Sequence, residues 1–208
     1  MQAILQSPAY IPASGTGDAD ATYTEVLRRA KASNLEELWK KDTKLLMQIN
    51  AEMSFESKYG TTRFGPTVDG YIVPQLPSKL LKDGRFHTGL PMLFGHTKSD
   101  GLLFTPPWAR SDDDVRAHLR TLFPNITKSA LDQVIDKYPA PSSSSARANV
   151  DRFATLLDDA TIRCNSHYLA EASLASNTRI YHPVFKYEFN VPPATHGENI
   201  KASSLWSI

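Results

Sequence analysis

The amino-acid sequence predicts an α/β protein built on a mostly parallel β-sheet. Apolar runs of strand length begin at Ala3, Leu90 and Val184, and stretches with helical spacing lie between them. This alternation favours an α/β architecture over a helical bundle or a β-sandwich. The run at residues 90–95 is apolar throughout, as expected of a strand that is covered on both faces of a parallel sheet.

Composition places the chain among ordinary globular proteins. Its 208 residues are 41% hydrophobic and 22% charged, so we expect one folded unit over residues 1–208. The formal net charge of +1 gives no sustained positive field, and we therefore expect no nucleic-acid partner. No apolar run approaches the roughly 20 residues of a membrane span, and the amino terminus lacks a signal-peptide pattern. The lone Cys164 excludes an internal disulfide, and we expect a small buried side chain there.

In the first half of the chain, local signals mark where elements begin and end. Pro8 closes a short apolar run, which indicates a buried strand. Asn34, with Glu37 three positions later, matches a capping box at the start of a helix. The predicted elements are a strand at residues 3–7, helices at residues 23–31, 34–53 and 77–84, and a strand at residues 90–95 that leads into a loop at residues 96–101.

The second half is predicted to be mainly helical before it ends in a strand. Asp112, Asp113 and Asp114 fall in the first turn of a helix, where the helix dipole favours negative charge, so a metal site is not needed to explain them. The final run alternates apolar and polar residues, which is typical of a strand near a sheet edge. The predicted elements are helices at residues 111–122, 127–138 and 147–175, and a strand at residues 184–191.

Two side chains that follow predicted strands can carry chemistry. Asp100 follows the strand at residues 90–95, and His196 lies in a proline-flanked loop after the last strand. An acid followed by a histidine is the order of the second half of a Ser-acid-His triad, whose serine comes first on a G-x-S-x-G turn. No G-x-S-x-G occurs in the sequence. Ser7 lacks the flanking glycines of such a turn, so we do not expect it to be a nucleophile.

Four ordered motifs together resemble one family. They are Val68-Asp69-Gly70 with residues 77–81, the run from Gly95 to Phe104, residues 158–164, and Tyr187-Glu188-Phe189 leading to His196-Gly197. In this order they resemble the type-B carboxylesterases, the lipase and cholinesterase relatives that are common in fungi. The resemblance covers nearly the whole chain. It implies a partial α/β-hydrolase fold, namely the carboxyl-terminal part of the central, mostly parallel sheet with its covering helices.

The resemblance also implies a reaction. A serine would attack a small-molecule ester, His196 would be the base and Asp100 the acid, and no cofactor or metal ion would take part. His96 is given no role in proton transfer. Because the family most often has Glu where Asp100 stands, we expect Asp100→Glu to hold or raise activity.

The same resemblance implies that part of the catalytic machinery lies outside this sequence. The serine and the oxyanion segment would precede Met1, so we expect a fragment of a larger hydrolase that is inactive alone. The alternative is a non-catalytic, cholinesterase-like remnant or interaction module. Members of the family are often secreted, whereas this chain carries no signal peptide, so its localisation is left open.

Overall fold

A parallel three-stranded sheet organises the protein. The computed structural model describes residues 2–9, 16–142, 145–176, 183–192 and 194–200. The strands are β1 (Ala3–Gln6), β2 (Met92–Thr97) and β3 (Val184–Phe189), and β2 lies between the other two. Both strand pairs are parallel. The α/β fold class with a parallel sheet and covering helices is therefore confirmed.

Helices fill the connections between the strands. Those in the described ranges are α1 (Thr16–Ala30), α2 (Leu35–Leu38), α3 (Thr43–Phe55), α4 (Pro77–Lys82), α5 (Gly101–Phe104), α6 (Asp112–Leu122), α7 (Lys128–Lys137), α8 (Ala146–Asp158) and α9 (Cys164–Ala175). A π-helical turn, Asp159–Arg163, joins α8 to α9 without a break. None of these helices combines the length and the apolar character that crossing a bilayer requires.

The prediction of one helix over residues 34–53 is wrong. Asn34 caps α2 as expected, since its side chain accepts a 2.9 Å hydrogen bond from the Glu37 amide. The helix then ends, and Asp42 caps α3 by accepting a 2.6 Å hydrogen bond from the Lys44 amide. An aspartate with extended backbone favours the start of a new helix over the continuation of an old one. The continuous apolar spacing concealed this break.

The main core lies among α5, α6, α7 and α8. Leu119, Leu131, Phe153 and Leu157 are almost completely buried in it. Short α5 packs closely against α8. Because α5 begins directly after Asp100, this packing fixes the start of the segment that follows the predicted acid.

One face of the sheet carries an exposed apolar stripe. Ile4, Leu93 and Phe185 stand side by side in register and are 66%, 40% and 62% exposed. The next residue along β3, Lys186, points to the opposite face of the sheet. Its ammonium lies 3.3 Å from Nε2 of His167 on α9, so α9 covers that face. Among monomeric proteins, an exposed apolar stripe on a sheet is a surface for association.

We expect the purified chain to self-associate through this stripe. Replacing both Ile4 and Phe185 with threonine should lower the mass measured by size-exclusion chromatography with light scattering, because it removes most of the exposed apolar area. Phe55→Thr is the control, since Phe55 is 93% exposed but lies on α3. A monodisperse monomer with a sharp thermal transition before any substitution would contradict this expectation.

Candidate active site

The side chains of Asp100 and His196 meet at the carboxyl end of the sheet. Asp100 follows β2 and is wholly buried, whereas His196 follows β3. The two segments come together because β2 and β3 are parallel neighbours, so their carboxyl ends share one edge. Nδ1 of His196 lies 2.7 Å from Oδ1 of Asp100. The residues predicted as base and acid are thus in direct hydrogen-bond contact.

Backbone hydrogen bonds extend the strand pairing up to these two residues. The Lys98 amide donates to the Phe189 carbonyl at 2.9 Å, and the Ser99 amide donates to the Ala194 carbonyl at 3.0 Å. Ser99 and Thr195 form a parallel β-bridge. The loop that carries the acid and the loop that carries the histidine are therefore held as a continuation of the sheet.

The Asp100 carboxylate accepts hydrogen bonds on both oxygens. The Thr97 amide donates to Oδ2 at 2.8 Å, and the Ser7 hydroxyl lies 3.0 Å from Oδ2 and 3.2 Å from Oδ1. His196 completes the set through Oδ1. A buried carboxylate needs such partners, since an unpaired one would be costly to bury. These contacts hold its oxygens in a defined orientation toward the imidazole.

Ser7 contacts the acid and not the histidine. It lies at the end of β1 with a backbone φ of +50°, and its amide donates to the Gly95 carbonyl at 2.7 Å. The left-handed conformation is uncommon for a residue with a side chain. The hydrogen bond to the Gly95 carbonyl of the neighbouring strand β2 holds Ser7 in this conformation. The side-chain nitrogen Nδ2 of Asn199 lies 3.5 Å from the Ser7 hydroxyl oxygen. Ser7 is therefore placed to orient Asp100.

The His196 ring keeps one edge toward the surface. Its side chain is 32% exposed, and the ring of Phe104 packs against it edge-on with centroids 5.2 Å apart. Because Nδ1 faces Asp100, Nε2 points away from the acid. Within the described residues, no serine or cysteine side chain is hydrogen-bonded to His196. The imidazole thus has an orienting carboxylate on one side and a nitrogen free to exchange a proton on the other.

Other polar candidates lie outside this pair. His96 is buried, and its Nδ1 lies 3.0 Å from the carbonyl of the next residue, Thr97. Cys164 is only partly buried, and burial raises the pKa of its thiol. In the described ranges, no group of three or more His, Cys, Asp or Glu side chains is arranged to hold a metal ion.

Comparison with known proteins places this chain in a family. A model of the carboxylesterase family matches residues 1–203. The chain belongs to this family. The predicted family and the hydrolase fold class are therefore confirmed.

Several fungal members of the carboxylesterase family are similar to this chain. Carboxylesterase patB of Aspergillus clavatus is 26% identical over 94% of this chain and 35% of its own length. Carboxylesterase patB of Penicillium expansum is 28% identical over 94% of this chain and 34% of its own. The inactive carboxylesterase-like protein VdtD of Byssochlamys spectabilis is 29% identical over 64% of this chain. The chain spans about a third of the length of the two carboxylesterases.

The crystal structure of Aspergillus niger EstA has the same fold. It matches with a TM-score of 0.71 and 20% sequence identity, over 90% of this chain and 37% of the EstA chain. At this level of identity the likeness concerns the fold alone.

A second buried carboxylate, that of Asp158, lies beside the acid loop. Its side chain is 1% exposed, and its Oδ2 accepts a 2.8 Å hydrogen bond from Nη2 of Arg163. Burial raises the pKa of Asp158 from the ordinary 3.8 to about 7, while the Arg163 guanidinium opposes part of this rise. A buried carboxyl with this pKa gains and loses its proton close to neutral pH.

Because of Asp158, the stability of the fold should depend on pH. Between pH 3.8 and about 7 the folded chain holds this proton and the unfolded chain does not, so the free energy of unfolding should decrease as the pH rises through this range. The Asp158→Asn chain has no titrating group at this position, so its free energy of unfolding should change less with pH over this range. Urea midpoints from pH 5 to about 8 measure the effect. Asp136→Asn, at an exposed position of α7, is the control. The same pH dependence of the urea midpoint in both variants would contradict the prediction.

The sequence did not reveal Ser7, Asn199 and Asp158 as neighbours of the acid. For Ser7 a signal was available, since a residue at the end of a strand next to β2 must lie near the residue that follows β2. Asn199 and Asp158 gave no comparable signal, because their positions depend on how the His196 loop and α8 pack against the sheet.

Proposed function

We propose that this chain supplies the acid and the base of a serine carboxylesterase that acts on small-molecule esters. The observation that carries the proposal is the 2.7 Å contact between Nδ1 of His196 and Oδ1 of the buried Asp100. In this role His196 is the general base and Asp100 orients and stabilises the imidazolium. No cofactor or metal ion takes part in the steps assigned to these residues.

Each half of the proposed reaction proceeds through two proton transfers at Nε2 of His196. His196 takes a proton from a serine hydroxyl as that oxygen attacks the ester carbonyl, and it returns the proton to the leaving alcohol. This leaves the acyl group as an ester on the serine. In the second half His196 takes a proton from the water that attacks this ester and returns it to the serine oxygen as the carboxylic acid leaves. Asp100 keeps the tautomer with hydrogen on Nδ1 and offsets the positive charge that forms on the ring.

The serine in this proposal belongs to a segment outside the 208 residues. The sequence contains no G-x-S-x-G turn, and the hydroxyl of Ser7 is bonded to the acid. The segment comes either from the same gene product or from a separate chain. Reading the coding region upstream of Met1 for an in-frame G-x-S-x-G, about 25 to 35 residues before Ala3, distinguishes these two sources.

Apolar and aromatic side chains near His196 support an ester with an apolar group. Phe104 packs on the imidazole, and the neighbouring Leu103 and Trp108 are 56% and 58% exposed. The Tyr59 hydroxyl donates to the Leu103 carbonyl at 3.1 Å, and the Tyr59 and Trp108 rings meet edge-on at 5.2 Å. Together they offer an aromatic wall against which an acyl or alcohol group can pack.

We expect the chain by itself to show no esterase activity. An acid and a base without a nucleophile and oxyanion donors lack the largest contributions to catalysis. The assay is hydrolysis of p-nitrophenyl butyrate by the purified chain, with the uncatalysed rate as the reference. Turnover that a serine-directed phosphonate abolishes would contradict the prediction and would identify a nucleophile within these residues.

A second candidate function is a non-catalytic interaction module. It is favoured by the missing G-x-S-x-G and by the similarity to VdtD, which is named an inactive carboxylesterase-like protein. The two functions differ in one requirement, because only an esterase needs the Asp100–His196 hydrogen bond to be maintained in solution. Finding an upstream serine turn would favour the esterase.

A further inference from the structure

The buried ion pair of Asp158 and Arg163 has no role in the reaction proposed above. It lies where α8 passes into the π-helical turn, against the loop that carries Asp100. Oδ1 of Asp158 and Nε of Arg163 are buried without a hydrogen-bond partner. Burying an incompletely satisfied ion pair costs stability, so its presence calls for a role other than stabilising the fold.

The π-helical turn is what brings the two side chains together. Asp158 and Arg163 are five residues apart, and in an α-helix such positions point in different directions, since only positions three or four apart face each other. In a π-helix each backbone hydrogen bond spans five residues, and here the Cys164 amide donates to the Asp159 carbonyl in this pattern. Arg163 is thereby turned over Asp158.

Arg163 also reaches the backbone of the acid loop. The same Nη2 atom that bonds Asp158 lies 3.1 Å from the Lys98 carbonyl. Nη1 is bonded to Asp159 at 2.8 Å, and Asp159 in turn accepts a 2.7 Å hydrogen bond from the Tyr138 hydroxyl. The guanidinium is therefore anchored by two carboxylates while it holds the loop.

The position of the Lys98 carbonyl affects the position of Asp100. The Lys98 amide is bonded to β3, and the next amide, that of Ser99, is bonded to Ala194 before His196. Arg163 holds the other side of the same peptide segment, two residues before Asp100. A shift of the Lys98 carbonyl would therefore change the direction in which Asp100 presents its carboxylate.

The charges around Asp158 are a second reason why the position of the acid loop depends on Arg163. The carboxylates that act on Asp158 come from Asp100 in the loop, Asp159 in the π-helical turn and Glu188 on β3, and Arg163 is the cation that offsets them. Without the guanidinium, a charged Asp158 would face carboxylates with no cation among them to offset the charge across the packed contact between the loop and α8.

We propose that Arg163, anchored by Asp158 through the π-helical turn, positions the loop that carries Asp100 and so maintains the hydrogen bond between Asp100 and His196. This inference rests on the proposed function, because the pair that it maintains is the proposed acid and base. Arg163 and Asp158 are positioning residues and touch neither substrate nor nucleophile.

The test is proton NMR of the isolated chain, which needs no enzymatic activity. The Nδ1 proton that His196 shares with Asp100 should give a resonance far downfield of the amides, and its loss in His196→Gln assigns it. Arg163→Gln should remove or broaden this resonance and raise the exchange rate of the Thr97 amide by about tenfold or more. Arg147→Gln is the matched control, since it breaks the exposed 2.7 Å pair with Asp151 on α8.

A second variant covers the case in which Arg163→Gln does not fold. Arg163→Lys keeps a positive charge beside Asp158 but loses the planar fork that reaches Asp159 and the Lys98 carbonyl together, so it should also lose the His196 resonance. Folding is followed by circular dichroism. A folded Arg163→Gln or Arg163→Lys chain that keeps the resonance unchanged overturns the inference, as does failure of both variants to fold, which would make Arg163 a general structural residue.

The same spectra separate this inference from the proposed function. If the unmodified, folded chain shows no His196 Nδ1 resonance at any pH, the acid-base pair does not exist in solution, and the proposed function fails together with the inference. If the resonance is present and does not respond to Arg163, the inference alone fails.

Discussion

His196→Ala is expected to reduce ester turnover by about four orders of magnitude or more once a serine segment is present. A suitable protein is a chimera in which this chain replaces the matching segment of the Penicillium expansum carboxylesterase, with which it aligns over 94% of its length. The loss follows because alanine removes the group that takes the serine proton and returns it to the alcohol. The measurement is kcat for p-nitrophenyl butyrate.

His167→Ala is the control for this substitution. His167 is exposed on α9 and contacts Lys186, away from the acid. It should leave kcat within about twofold, which corresponds to a few tenths of a kcal/mol. An equal loss of kcat in both variants would indicate that the chimera has been destabilised. An unchanged kcat in His196→Ala would contradict the assignment of His196 as the base.

The structure changes what is expected of Asp100→Glu. From the family pattern, glutamate was expected to serve as well as aspartate or better. Asp100 already lies 2.7 Å from His196, is wholly buried, and also bonds Ser7 and Thr97. An added methylene would have to displace one of these contacts, so in the chimera we now expect Asp100→Glu to lower kcat and Asp100→Ala to lower it further.

Gly101→Ala is expected to have the largest effect on folding. A methyl group at Gly101 would overlap the Ala154 carbonyl oxygen of α8 and come within 2.7 Å of the Asp158 amide nitrogen. Both are backbone atoms of a packed helix and cannot move aside cheaply, so we expect a cost of about 3 kcal/mol or more. In a chain of this size that lowers Tm by roughly 10 °C.

The measurement is thermal unfolding followed by circular dichroism. Gly65→Ala is the matched control, since its added methyl would meet only the Thr62 hydroxyl oxygen, at 3.4 Å. A Gly101→Ala chain that melts within about 2 °C of the unchanged one would mean that the acid loop is not packed on α8 as described.

Much of the fold was predictable because its signals are local. The three strands are short apolar or alternating runs bounded by proline and polar residues, and residues 3–6, 92–97 and 184–189 fall within or close to the predicted spans. The capping signal of Asn34 and the three aspartates at residues 112–114 marked helix starts correctly. Asp100 and His196 were paired from sequence by their order along the chain and by the family resemblance. They meet in the structure because the carboxyl ends of parallel strands bring the residues that follow them to one edge.

What could not be predicted depends on long-range packing. Helix α5 was not predicted, because four residues carry too little periodicity to indicate a helix, and it forms against α8. The π-helical turn is invisible in a continuous amphipathic stretch, since no residue type specifies it. Asp158 and Arg163 belong to the family-like motif at residues 158–164, but nothing in the sequence indicated their contact with the loop that carries Asp100.

The most direct test of the proposed function is the rate at which a fluorophosphonate labels the serine of the chimera, measured by intact-protein mass spectrometry. The reagent reacts only with a serine whose proton is removed by a base. If Asp100 and His196 of this chain are the acid and the base, the chimera is labelled once, on the serine of the partner segment, and folded His196→Ala is not labelled. Equal labelling rates in the two folded proteins would contradict the assignment.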